Sequence, residues 1–215
     1  MGTVNMAGER PSYHHGDLRP KLIETAMDCI ERDGVAKLSL RKIAADLGVS
    51  HNAPYMHFAS KDTLLDAVIA RGFAMLRAAI AEAGGSGTLD AGDWDERVKR
   101  GLHAYVRFAR ERSGLYALMH VPRGATRSGD APERPDSDAD GAGAATLQRL
   151  AATLEAGQRL GKVRAGDPTE MAIWVWVTLH GLASLTSDER QAFAGRAPDA
   201  VTETVLDSLI EALAG

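Results

Sequence analysis

The stretch "SLRKIAADLGVSHNAPYMHFASK", residues 39–61, constrains this chain more than any other. Ser39 is placed to cap a helix in which Leu40, Ile43 and Leu47 face inward, and Gly48 is placed to stop it. Ser50 caps a third, very short helix ending near Phe58, and Ser60 caps a fourth. Two short helices joined through one glycine read as a helix-turn-helix, whose second helix enters the DNA major groove. Ala44, one turn before Gly48, is small enough to let the two helices approach, and the glycine supplies left-handed backbone for the turn. Pro54 falls inside the short helix. It forfeits about one backbone bond and disfavours helical angles at Ala53, so a tightened or distorted first turn is expected. Val49 and Pro54 occupy the positions of a hydrophobic staple, and Pro54 and Phe58 are expected inward.

His51, Asn52 and Tyr55 are then expected outward. Asparagine reads adenine bidentately, and histidine and tyrosine reach phosphates or base edges. Lys61 and the free N–H groups behind Ser60 form a phosphate site, while Arg41 and Lys42 approach the DNA backbone from the preceding helix. Residues 37–61 hold Lys37, Arg41, Lys42 and Lys61 against Asp46 alone, a basic patch on a chain of net charge −4. The competing reading is a helical hairpin with solvated charges.

Elsewhere the 215 residues repeat apolar side chains at helical spacing, with no alternating strand run. The fold class expected is all-α, with about nine helices. The first helix carries Leu18, Leu22, Ile23, Ala26 and Ile30 behind an Asp17 cap, and buries Cys29 as an inert thiol. The fourth runs from Lys61 to about residue 83. "GGSGTLDAGD" then breaks the chain. Further helices are expected over 94–111, at "GLYALMH", from near Ala144 to Gly161, after "DPTE" at 167–170, and from Pro198 to Leu213. Residues 122–143, rich in Gly, Pro and Asp, read as a mobile loop. The domains expected are a DNA-binding domain over 13–60, a connecting helix over about 61–83, and a ligand-binding and dimerisation domain over 84–215.

Several function classes recede on composition and motif. "MAIWVWV" is far short of the roughly 20 apolar residues that span a bilayer. The polar N-terminus lacks a signal-peptide core, and one cysteine suits a reducing compartment, so a cytoplasmic protein without membrane partners is expected. There is no phosphate-cradling loop, nucleophile elbow or working metal-ligand spacing, so neither an enzyme nor a cofactor is expected. The adjacent histidines of "YHHGD" suit an arm rather than a metal site. "DSDADG", 136–141, imitates an EF-hand start but has Leu147 where a glutamate is needed.

Residues 13–68, "YHHGDLRPKLIETAMDCIERDGVAKLSLRKIAADLGVSHNAPYMHFASKDTLLDAV", resemble a TetR-family transcriptional regulator. "SLRKIAADLGVS" followed by Tyr55, His57, Phe58, Ser60, Lys61 and Leu64 carries the likeness. It implies a homodimer on double-stranded operator DNA, most often a repressor released by a small-molecule effector. It also implies that Tyr55, His57 and Lys61 contact the DNA backbone and that Ser50, His51 and Asn52 read bases. Met56 stands where many members have Arg or Lys. Proline before the tyrosine occurs in a branch with a C-terminal Trp–His–Gly signature, which Trp176, His180 and Gly181 match. A helical interaction module with weak or no DNA binding is the alternative.

In the C-terminal half, Tyr105, Phe108, Tyr116, Met119, His120, Trp174, Trp176 and His180 are candidates for an effector pocket taking an apolar or weakly polar molecule. Trp176 and His180 also suit a plain core pair with the histidine bonded to a carbonyl. The last two helices are expected to form an intermolecular four-helix bundle, with Gly181, Leu185, Leu206, Leu209 and Leu213 at the dimer interface.

Overall fold

The computed structural model describes residues 18–85, 90–121, 138–186 and 195–215. Among them are eight α-helices and two short 3-10 turns, and no strand. The helices are α1 (Leu18–Asp33), α2 (Leu40–Asp46), α3 (Lys61–Gly84), α4 (Trp94–Glu111), α5 (Ser113–Met119), α6 (Asp138–Arg159), α7 (Pro168–Thr186) and α8 (Pro198–Leu213). The all-α expectation holds. The expected Asp17 cap and "YHHGD" arm lie outside the described residues, as does much of the expected 122–143 loop. α6 begins at Asp138, six positions before the expected start, and the last residues of "DSDADG" form its first turn rather than a cation loop.

Local signals set most of the boundaries. The Ser39 hydroxyl accepts from the Lys42 N–H at 3.2 Å and starts α2. Ser60 and Thr63 exchange bonds at 3.2 and 3.1 Å, a reciprocal cap that starts α3. The Asp167 carboxylate takes the Thr169 N–H at 2.7 Å behind Pro168 and starts α7. Gly48, at φ 66°, turns the chain out of α2 in a conformation unfavourable to residues with a Cβ.

α3 organises the whole. Its first turns bury Leu64, Leu65 and Val68 against α1, and its remainder packs on α4, α5 and α6. α5 has no side chain of its own flanks to cap its start. The Glu31 carboxylate of α1 does this instead, accepting from the Gly114 and Leu115 N–H groups at 3.0 and 3.1 Å. α8 closes the far side through Leu206, Leu209 and Leu213, all 2% exposed or less. These three leucines were expected at the dimer interface. They belong to the core of their own chain, because α8 turns that face onto it.

Candidate nucleic-acid interface and effector cavity

The expected recognition helix is not an α-helix. Residues 51–53 form a turn and Pro54–Met56 a 3-10 turn. Tyr55 N–H reaches the Asn52 carbonyl at 3.1 Å and Met56 N–H the Ala53 carbonyl at 3.2 Å, both three residues back. Pro54 has no N–H to continue an α-helical ladder, so the segment tightens. The sidedness matches expectation. Pro54 and Phe58 are buried, while Ser50, His51, Asn52 and Tyr55 are exposed and His57 is half-buried. Met56 is 83% exposed, the most open large apolar side chain described.

The cations divide. Arg41 and Lys37 are exposed. Lys42 is bound to Asp33 at 2.6 Å, which ties α2 to α1. That bond, with a second from Arg32, holds the Asp33 carboxyl down to about 2. Lys61 donates to the Val35 carbonyl at 2.8 Å and closes the turn between α1 and α2. Both lysines therefore hold the domain together in the unbound chain. Arg19, absent from the sequence reading, lies over the Phe58 ring at 5.2 Å and sets a further guanidinium beside the recognition turn. Only the fold brings residues 19 and 58 together.

In the C-terminal half, five of the eight expected pocket residues cluster. The Tyr105 and Tyr116 hydroxyls are 2.9 Å apart, and Tyr116 reaches His180 Nδ1 at 2.8 Å. The His120 ring lies 4.4 Å from both the Tyr116 and His180 rings, tilted to each, and Trp176 stacks on His180 at 19°. His120 Nδ1 bonds the Tyr116 carbonyl at 2.9 Å, so it carries the proton, and its buried Nε2 has no partner among the described residues. Burial lowers both histidines below their ordinary range and pushes the Tyr105 phenol up to about 12. These side chains are neutral at pH 7. Trp176 and His180 pair as expected, but His180 takes a tyrosine rather than a carbonyl.

The cavity itself is displaced from this cluster. It encloses about 300 Å³ between α3, α4, α6 and α7. Ile80, Leu102, Tyr105, Leu150, Trp176 and Leu179 form its apolar wall. Tyr105 and Trp176 are therefore the expected residues that reach it. Phe108 and Met119 are core, and Tyr116, His120 and His180 stand behind the wall. Trp174 points outward, 43% exposed, beside Ile173, Val177 and Leu185 on the free face of α7. Arginines 77, 97 and 149 also line the cavity, and among the described residues no acidic side chain does. The sequence reading missed them, although Thr146, Arg149 and Thr153 at helical spacing were a visible polar stripe.

Comparison with known proteins agrees with this arrangement. A family model described as "Bacterial regulatory proteins, tetR family" matches residues 22–68. A second, "Tetracyclin repressor-like, C-terminal domain", matches residues 98–212, more than half of the chain. The chain belongs to the TetR family. This TetR-family protein is a DNA-binding transcriptional regulator.

Its fold recurs in solved structures. A protein with unknown function from Rhodococcus sp. RHA1 is 32% identical, with TM-score 0.77 over 96% of this chain and 100% of that one. SmeT, the repressor of the Stenotrophomonas maltophilia multidrug efflux pump SmeDEF, is 20% identical, with TM-score 0.65 over 92% and 90%. A transcriptional regulator from Saccharomonospora viridis, solved in complex with choline, is 21% identical, with TM-score 0.68 over 93% and 99%. Comparison with curated proteins finds no match. Among the described residues no helix is long and apolar enough to cross a membrane, and no group of three metal-binding side chains assembles.

Proposed function

We propose that the regulator is a homodimeric repressor that binds a roughly palindromic operator and is released by a small molecule in the α3–α4–α6–α7 cavity. The observation that carries this reading is the outward set His51, Asn52 and Tyr55, pinned by the buried Pro54 and Phe58. Residues 13–60 are the DNA-binding domain, α3 connects, and residues from 84 onward bind ligand and dimerise. Ser50, His51 and Asn52 read bases. Tyr55, His57, Arg41 and Arg19 hold phosphates, and Lys42 and Lys61 join them by sharing donors already bonded within the chain.

The free face of α7 supports dimerisation. Ile173, Trp174, Val177 and Leu185 are exposed there, and a Cβ on Gly181 would meet nothing within 4 Å. Nothing among the described residues of its own chain calls for glycine at that position. A glycine inside a helix costs about 1 kcal/mol against alanine, and close approach of a second α7 accounts for keeping it. The exposed side of α8 carries Ala200, Thr204, Ser208 and Ala212, small enough for the same contact. Trp176, His180 and Gly181, stacked and open in this way, also favour the Trp–His–Gly branch. Two recognition turns would address half-sites about 34 Å apart or a multiple of it.

Fluorescence anisotropy with DNA from upstream of the chain's own gene, titrated across a salt series, tests this. Affinity should fall steeply with salt, and Tyr55→Ala should weaken binding about tenfold or more without unfolding the chain. Weak binding that is flat with salt would favour a helical interaction module instead. The exposed Met56 and the two committed lysines are the observations on that side.

A further inference from the structure

We infer that the cavity selects an amphipathic anion: a carboxylate, or a group of like charge, on an apolar body. This rests on the reading of the cavity as the effector site and names the chemistry that site accepts.

Three arginines line a space to which no carboxylate among the described residues contributes. They differ in how far the fold satisfies them. Arg97 is buried and well engaged. It donates to the Gly84 and Gly85 carbonyls at 2.6 and 3.1 Å and pairs with Asp93 at 3.3 Å. Arg77 is half-buried on α3, and its Nη1 bonds go to the Ala142 carbonyl at 2.9 Å and the Thr146 hydroxyl at 3.0 Å. Both partners are neutral, and Arg77 has no counter-ion among the described residues. Arg149, exposed on α6, has neither an ion pair nor a side-chain hydrogen bond among them.

A cation held partly out of water without a counter-ion is unfavourable, and an entering anion relieves it. Arginine suits the task because its planar fork matches a carboxylate or phosphate with two parallel bonds. Arg77 on α3 and Arg149 on α6 border the same cavity, so an anionic group entering it meets arginine from two helices. Elsewhere in the lining, Val98, Leu102, Trp176 and Leu179 carry no formal charge and suit the remainder of the molecule. A cationic guest would meet two arginines, Arg77 and Arg149, that carry no counter-ion among the described residues.

The test uses three probes of equal chain length: octanoate, n-octanol and octyltrimethylammonium. Each is titrated into the full-length protein by calorimetry, with tryptophan fluorescence as a second signal. Octanoate should bind at least about tenfold more tightly than octanol, with the ammonium weakest. Arg149→Gln and Arg77→Gln should each weaken octanoate about five- to tenfold and leave octanol unchanged. Arg149 is exposed and makes no ion pair or side-chain hydrogen bond among the described residues, so its variant should fold as the parent does. Octanol or the ammonium matching octanoate, octanoate failing to bind at millimolar concentration, or indifference of both variants would overturn the inference. Operator anisotropy is measured in parallel with saturating octanoate. Selective octanoate binding that leaves the DNA complex intact would refute effector release while upholding the anion preference.

Discussion

Removing the Glu31 carboxylate should cost this regulator more than its half-exposed position suggests. Two backbone N–H groups at the start of α5 end on its two oxygens, at 3.0 and 3.1 Å. α5 is seven residues long, too short to hold itself, and lacks a cap from its own flanks. A hydrogen bond to a charged group contributes about 1.5–3 kcal/mol, and a carboxylate at a helix N-terminus about 0.3–1 kcal/mol. Water can reach the vacated N–H groups in part, so the low end applies and Glu31→Ala should lose about 2 kcal/mol. For a chain of this size that lowers Tm by about 4–8 °C. Glu31→Gln keeps the length and one carbonyl oxygen, and should lose about half as much. Glu24→Ala is the control. Its pair with Arg71 is similarly short at 3.1 Å, but both partners are half exposed or more, and surface pairs contribute about 0.2–1 kcal/mol. Scanning calorimetry of the three variants reads the difference. A Tm for Glu31→Ala no lower than that for Glu24→Ala would refute the view that α1 holds α5 in place.

Three further outcomes are expected. Tyr116→Phe removes one hydroxyl that serves both Tyr105 and His180, and should destabilise the chain by about 1–3 kcal/mol in denaturant titration; a neutral result would mean that water replaces it. Gly181→Leu should weaken the dimer about tenfold or more in sedimentation equilibrium while leaving monomer stability near the parent, because the position is open within its own chain; an unchanged dimer would move the interface off α7. Acid should destabilise the chain before any carboxylate titrates. The folded-state affinities of His120 and His180 for protons are depressed by burial, so the unfolded chain binds more protons below the ordinary histidine range. Their contribution is complete above about pH 6.5 and is lost as pH falls from there, whereas that of Asp33 is lost only below about pH 4. Urea midpoints measured at about pH 8, 6.5 and 5 should decline across the last interval, and a flat profile there would show that neither imidazole is held neutral.

The sequence made the local decisions visible. Ser39, Ser60 and Asp167 start helices as their chemistry predicts, and Gly48 turns the chain between two of them. Pro54 announced a distortion, though its extent, a 3-10 turn in place of an α-helix, depends on Phe58 and Pro54 both being drawn into the core. Faces were harder to read. α7 is apolar on nearly every side, so periodicity could not tell Trp174, which points away, from Trp176, which lines the cavity. α8 does carry a clear leucine stripe, but a stripe records only that something covers it; the covering surface is its own chain. The cavity arginines come from α3, α4 and α6, and the lysine bonds to Asp33 and Val35 also join separate elements. No spacing rule reaches across such distances.

α3 runs without interruption from the Ser60 cap beside the recognition turn to Gly84 at the cavity. At 1.5 Å per residue its 24 residues make a rod about 36 Å long. Tilting that rod by about 5° around the cavity end sweeps the other end through roughly 3 Å, as far as a whole hydrogen bond. In the release proposed above, a guest that shifts a few side chains by tenths of an ångström would thereby be geared up to a movement that base edges cannot follow.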